Sequence, residues 1–419
     1  MLTYAFVALL LIDVVIRLWL ASRQIRHVAA HRNAVPAEFS ARIGLASHQR
    51  AASYTIARAK LGMVERVVDA AVLIGLTLMG GLQAIDTLVG SLITEHELLR
   101  QLLLIGAVIA LLGAIGLPFT LYRQFALESR YGFNRMTPKL FATDSIKAIA
   151  LGVVLGTPLI AAILWLMDTA GAYWWVWAWA LWASFNIAVS LLYPLVIAPI
   201  FNTFKPLDNP DLAQRVGDLA HRCGFSLKGL FVMDGSRRSA HGNAYFTGFG
   251  KSRRIVFFDT LLSRLNADEV EAVLAHELGH FSHRHIAKRI VLGFGLAFLF
   301  FWLLGQLATL PVFYETLGVT PRLAGSNDAM ALILFFLALP VCTFMLTPLA
   351  SWYSRRHEFE ADRYAATQSD AGFLTSALVK LYDDNAATLT PDPLHSAFYD
   401  SHPPATIRIQ HLQTQGAAA

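Results

Sequence analysis

The sequence predicts an all-α polytopic membrane protein of seven spanning helices, carrying a small α+β polar part on one side. Three observations point there. Of the 419 residues, 55% are hydrophobic and only 15% charged, where a soluble domain carries about 25% charged residues. Seven apolar stretches reach the roughly 20 residues a helix needs to cross a hydrocarbon core about 30 Å thick. Lys and Arg concentrate in alternate connections between those stretches. The composition excludes a disordered chain, and an ordinary soluble enzyme would need more polar surface than this sequence supplies. Two cysteines, Cys223 and Cys342, exclude a disulfide framework and a Cys-built zinc or iron–sulfur site.

The first stretch covers about 2–21, which is too long for a signal-peptide core and ends without a small-residue cleavage site. It reads as a retained span. Asp13 and Arg17 lie four residues apart within it. Charges are costly in lipid, so the two should face each other or a cavity, as a structural pair or along a substrate route. The remaining stretches lie at about 67–90, 99–121, 147–168, 173–200, 288–311 and 329–350. Buried soluble helices would not repeat this length, since they average about 11–12 residues.

Segment 22–66 carries eight Lys and Arg residues, from Arg23 to Arg66, and 122–146 adds Arg123, Arg130, Arg135 and Lys139. Segment 201–287 is also rich in both. The connections at 84–98 and 169–172 have none, and 312–328 has only Arg322. The positive-inside rule then places the N-terminus outside and the C-terminus in the cytoplasm. These basic segments are topology signals; none interleaves stacking aromatics as a nucleic-acid surface would, so no nucleic acid is expected as a partner. The chain divides into 1–200 (spans one to five), 201–287 (a cytoplasmic polar domain), 288–350 (spans six and seven) and 351–419 (a cytoplasmic tail).

Within 201–287, Gly229–Asp234, Asn243–Gly248 and Arg254–Asp259 are short β-type runs between turn residues. A helix follows, with Asn266 as its cap and Glu269 three residues on to complete a capping box. Its apolar positions Val270, Val273, Leu274 and Leu278 recur at helical spacing.

That helix contains His276-Glu277-Leu278-Gly279-His280, an HExxH pattern. Residues four apart differ by about 40° around a helix, so both histidines can reach one ion. Glu277, rotated about 100° from His276, stands beside that ion, where a carboxylate can take a proton from activated water. The pattern alone is weak, and His96-Glu97-Leu98-Leu99-Arg100 starts the same way and ends wrong. A third His six residues after His280 is absent, because Ile286 stands there and His283 replaces the Gly that such a pattern needs. The third ligand is therefore expected from a second helix. After the seventh span, Glu358 and Asp362 lie four apart in His357-Glu358-Phe359-Glu360-Ala361-Asp362. Glu358 can ligate and Asp362 can accept the second N–H of a ligand histidine. Two imidazoles and a carboxylate with one open position favour zinc. Glu360 points about 200° from Glu358 and is expected to meet solvent or another helix. His357 would ligate only if the helix were rotated. His283 and His285 are expected to face solvent or headgroups.

With these motifs in hand, the chain resembles the type I CAAX prenyl protease family, the membrane zinc metalloproteases that include the a-factor-converting enzyme. The resemblance covers essentially the whole chain. Beyond HELGH at 276–280 and EFEAD at 358–362, it rests on Gly132-Phe133-Asn134, on Ser239–Phe246 (SAHGNAYF) and on His402-Pro403-Pro404. It implies seven helices ringed around a large water-filled chamber, closed on the cytoplasmic side by a gluzincin-like zinc domain. It also implies one zinc held by His276, His280 and Glu358, with Glu277 as general base. Asn243 and Ala244 match an edge strand that pairs with an extended substrate, and His402 a histidine that steadies the oxyanion. The implied substrate is a peptide or protein ending in CAAX, isoprenylated on its cysteine, that loses its last three residues; an unprenylated membrane-protein segment is the other candidate. Short loops and the lack of an organellar address favour a bacterial inner membrane over endoplasmic reticulum.

Three rivals differ at identifiable features. A quality-control protease of the HtpX type shares HExxH and the glutamate helix but has fewer spans. A site-two protease would bury HExxH inside a span, whereas here Asp268, Glu269, His283, Arg284, His285 and Lys288 flank it. A non-catalytic membrane scaffold has no use for so costly a charge cluster.

Overall fold

The computed structural model describes residues 1–247, 253–323 and 325–416. Among these residues, six helical segments are long and apolar enough to span a membrane, or up to seven if a bent pair counts as one span. The principal helices are α1 (Leu2–His31), α2 (Leu45–Leu76), α3 (Gly81–Leu92), α4 (Glu97–Leu121), α5 (Pro138–Thr169), α6 (Trp174–Leu192), α7 (Pro210–Arg222), α8 (Ala267–Ser282), α9 (His285–Leu307), α10 (Asp328–Thr343), α11 (Thr347–Gln368), α12 (Ala371–Asp384), α13 (Pro393–Tyr399) and α14 (Ala405–Gly416).

The stretch at 67–90 is not the straight span that its hydropathy suggests. It is the end of α2 joined to α3 at a 56° bend. The bend sits at a glycine pair: Gly80 has φ +79°, and a Cβ on Gly81 would meet the Gly75 carbonyl oxygen at 2.6 Å. Only glycine fits both requirements. Five of the spans bury just 6–22% of their most apolar window inside the protein. A solid bundle would bury one face of every helix, so this sparse burial describes helices ringed around an open interior. The pair Asp13 and Arg17 meets within that ring, Arg17 Nε at 2.8 Å from the carboxylate. Arg17 also lies over the Phe344 ring at 3.7 Å, and both charges line a cavity of about 380 Å³.

The connections sort cleanly onto two sides. On one, the end of α1 meets the tail through Arg23 and Asp392 (3.0 Å), and Tyr54 donates to Glu128 (2.6 Å). There the turn Gly132–Asn134 also pairs with the polar domain, as a bridge between Asn134 and Ser239 and a hydrogen bond from Ala240 N–H to Phe133 O. On the other side, Arg100 and Arg322 are both neutralised by Asp86 (2.5 and 3.1 Å), and Arg100 also by Glu97 (2.7 Å). The false start at His96-Glu97 thus belongs to an ion cluster on the opposite side.

The polar domain contains a four-stranded sheet of β1 (Phe204–Pro206), β2 (Leu227–Met233), β3 (Ala244–Thr247) and β4 (Arg253–Phe258), in the order β1-β2-β4-β3. β2 and β4 run parallel and the outer pairings are antiparallel. The three expected β runs correspond to β2, β3 and β4, although Gly248 lies outside the described residues; β1 was not expected. Ile255 and Phe257 of β4 share a core with Val270, Leu274 and Leu278 of α8, so one face of the HExxH helix is fixed against the sheet.

Candidate metal centre

The start of α8 is built by its own sequence. Asn266 Oδ1 accepts from Glu269 N–H and Glu269 Oε2 from Asn266 N–H, each at 2.9 Å. Glu269 is further held by Lys380 and Ser376 of α12, both at 2.7 Å. Ten residues on, the helix crosses α11 so closely that a Cβ on Gly279 would lie 3.0 Å from Ala361 Cα and 3.1 Å from its carbonyl oxygen. The small residue in HELGH therefore sets the separation at which α8 and α11 face each other.

Across that crossing, donor atoms converge. His276 Nε2 and His280 Nε2 are 3.3 Å apart. Glu358 Oε2 lies 3.5 Å from His276 Nε2, and Glu358 Oε1 lies 3.4 Å from His280 Nε2. A tetrahedral site with arms of about 2.0–2.1 Å has edges of about 3.4 Å, so the donor set has the dimensions zinc needs. Glu358 is almost wholly buried, and among the described residues its Oε2 has no hydrogen-bond donor. A buried carboxylate oxygen left so is expensive unless a cation meets it.

The outer nitrogen of His276 has a partner. Asp362 Oδ1 lies 2.8 Å from His276 Nδ1, and Asp362 also takes two hydrogen bonds from Arg408 of α14, at 2.8 and 2.7 Å. Arg408 and Asp362 are both buried. Sequence reasoning missed Arg408; its one signal was a lone arginine between Ile407 and Ile409 on a helix that begins three residues after His402. His402 is exposed, with Nε2 at 3.5 Å from Glu358 Oε2.

Burial shifts the titrating groups on α8. Desolvation and then the neighbouring His276 charge hold His280 down to about 3, so at neutral pH it is the uncharged imidazole that metals bind. Desolvation and Arg408 also push His276 down, but Asp362 and Glu358 outweigh them and leave it above its ordinary value. Glu277 is raised, chiefly by burial, and among the described residues no donor lies within hydrogen-bond distance of it.

Asn243 immediately precedes and Ala244 begins β3, one of the two edge strands of the described sheet. Ala244 pairs with Phe257, and the Asn243 side chain accepts from Ala244 N–H at 2.8 Å while its carbonyl accepts from Phe258 N–H at 2.9 Å. One expectation is overturned. His285 does not face solvent or headgroups; it is 1% exposed. The left-handed residue Arg284 (φ 55°) separates α8 from α9, and His285, first in α9, lies against His280. His283 is exposed, as expected. His357 is buried against His285, and Glu360 meets a second helix through the same residue.

Two family models cover nearly the whole chain. Residues 24–203 match the N-terminal region of CAAX prenyl proteases, described as five membrane helices, and residues 206–415 match peptidase family M48. A CAAX prenyl protease 1 homolog of Arabidopsis thaliana is 38% identical over 76% of this chain and 74% of its own length. CAAX prenyl protease 1 of Saccharomyces cerevisiae is 35% identical over 75% and 72%, and a Mus musculus homolog 30% identical over 97% and 95%. The crystal structure of S. mikatae Ste24p superposes with a TM-score of 0.91 at 28% identity, covering 98% of this chain and 99% of that one.

Proposed function

The chain belongs to peptidase family M48, in the CAAX prenyl protease branch of integral membrane metalloproteases, and we propose that it uses one zinc ion to remove the last three residues of isoprenylated CAAX proteins. The observation that carries the metal reading is the convergence of His276, His280 and Glu358 on edges of 3.3–3.5 Å. These three residues would hold the ion. When bound, zinc supplies a Lewis acid that makes water a nucleophile near neutral pH.

The chain's own groups do the rest. Glu277, its proton affinity raised by burial, takes the proton from the attacking water and returns it to the leaving amine. His402 donates toward the oxyanion that forms on the scissile carbonyl. Asp362 fixes the tautomer of His276, and Arg408 keeps that buried carboxylate ionised. The edge of β3 that pairs with no strand among the described residues, beginning at Asn243 and Ala244, is offered to an extended substrate backbone.

The basic side, which gathers the polar domain, is the cytoplasmic one, with the N-terminus outside. Its membrane is a bacterial inner membrane or endoplasmic reticulum, and short loops favour the former. The HtpX-type and scaffold readings lose ground to the match along the whole chain. Mass analysis of the products from a farnesylated CAAX peptide tests the proposal: a single cut after the lipidated cysteine supports it. Cuts at other bonds, or turnover in metal-stripped protein, would contradict it.

A further inference from the structure

The two ligand histidines are supported differently, and the second support is built from residues that the mechanism above leaves unused. His276 meets its carboxylate directly. His280 turns Nδ1 away from the donor cluster toward His285 Nδ1, 2.9 Å distant, and His285 Nε2 lies 2.9 Å from Glu360 Oε2. Arg356 holds the other oxygen of Glu360 at 3.2 Å. The His357 ring covers His285 in parallel, with centroids 3.9 Å apart and planes 10° apart, and both histidines are almost wholly buried.

Resting on the zinc reading, we propose that His285 and Glu360 are positioning residues that orient His280 and strengthen it as a ligand through a relay of two imidazoles and a carboxylate. The proton count supports this direction. A neutral His280 that binds through Nε2 keeps its proton on Nδ1 and donates it to His285 Nδ1. His285 must then carry its own proton on Nε2, and the acceptor facing that nitrogen is the Glu360 carboxylate. Any other placement of these two protons sets donor against donor or leaves a buried nitrogen facing an acceptor with no hydrogen between them. The remote carboxylate thus fixes both tautomers, as a directly bonded carboxylate does for a single histidine.

The same three side chains, His285, His357 and Glu360, bring donor atoms within 4.8 Å of one another, the spacing of a second metal cluster. Two features oppose that use. Rings stacked in parallel cannot both hold one ion in their planes. A metal on His285 Nε2 would also force its proton onto Nδ1, against the Nδ1 proton of His280. His357 instead shields the relay from water.

The test is zinc affinity of the full-length protein in detergent, measured by competition with a chromophoric chelator, alongside the visible spectrum of the cobalt form. His285→Phe keeps the ring and removes the relay; it should weaken zinc binding about 10- to 100-fold and shift the cobalt bands, with one metal still bound at saturation. Glu360→Gln keeps an acceptor without its charge, is the variant least able to disturb folding, and should lose less. Glu360→Leu should match His285→Phe, and the double variant should be no weaker than either, as members of one chain are not additive. Affinities within twofold of the parent in Glu360→Gln and in folded His285→Phe protein would overturn the relay, as would additive losses. Two metals on the parent chain, with one lost in His357→Phe, would overturn it in favour of a metal cluster. A parent chain with no zinc overturns the reading of the centre itself; one zinc indifferent to both variants overturns the relay alone.

Discussion

At the scale of single residues, the centre combines groups with separable tasks, and substitutions should separate them. Glu277→Gln would remove the proposed proton acceptor and none of the proposed ligands. Its zinc content should stay at one per chain while kcat falls about 10²- to 10⁴-fold or more; metal analysis beside peptide turnover checks both. Glu358→Ala should lose most of the bound metal, whereas Glu360→Ala should still fill at excess zinc. Arg408→Met leaves Asp362 buried without its counter-charge and should cost about 3–5 kcal/mol of stability, read by denaturant unfolding. His276, His280, Glu358 and Asp362 could be picked from the sequence because four-residue spacing on a helix puts pairs on one face. Arg408, His285 and the task of Glu360 could not. Each is brought in by a neighbouring helix, and no spacing within one element encodes that approach.

At the scale of elements, the crossing of α8 and α11 decides whether the donors meet. Gly279→Val would push its branches into the Ala361 backbone and should destabilise the domain by about 1–3 kcal/mol through overpacking, with weaker zinc binding as the helices part. The cap of α8 is pH-sensitive. Burial raises the Glu269 carboxyl, but Lys380, Asn266 N–H and Ser376 outweigh it and hold the group below its ordinary value. A folded-state pKa below the unfolded one adds stability above the unfolded value of about 4.3, and this is lost as pH falls through the folded value. Unfolding midpoints taken from pH 6 downward should therefore fall less steeply in Glu269→Gln than in the parent. The capping box and three of the strands were readable because their signals are local. The α2–α3 bend and β1 were not: hydropathy averages over a glycine pair, and three residues are too few for a periodic pattern.

At the scale of the whole molecule, the chain segregates its basic connections and its chemistry onto one side and a neutralised ion cluster onto the other. Single cysteines placed in a background lacking Cys223 and Cys342 test the orientation. Thr94→Cys should react with an impermeant maleimide on intact cells, and Ser40→Cys only after lysis; the reverse pattern would invert the topology. The ring of spans was legible as a count of apolar stretches, but its open interior is a property of packing, and a hydrophobic residue facing lipid reads the same as one facing another helix.

We propose a metal centre at the membrane surface that cleaves lipid-bearing CAAX substrates. The most direct measurement is cleavage of a quenched fluorescent CAAX peptide by the purified protein, with and without a farnesyl group on its cysteine, beside Glu277→Gln and a chelator. Cleavage of the farnesylated peptide alone is expected, abolished in both controls. Equal cleavage of both peptides would contradict the lipid-dependent role, and cleavage that survives Glu277→Gln and the chelator would contradict the centre.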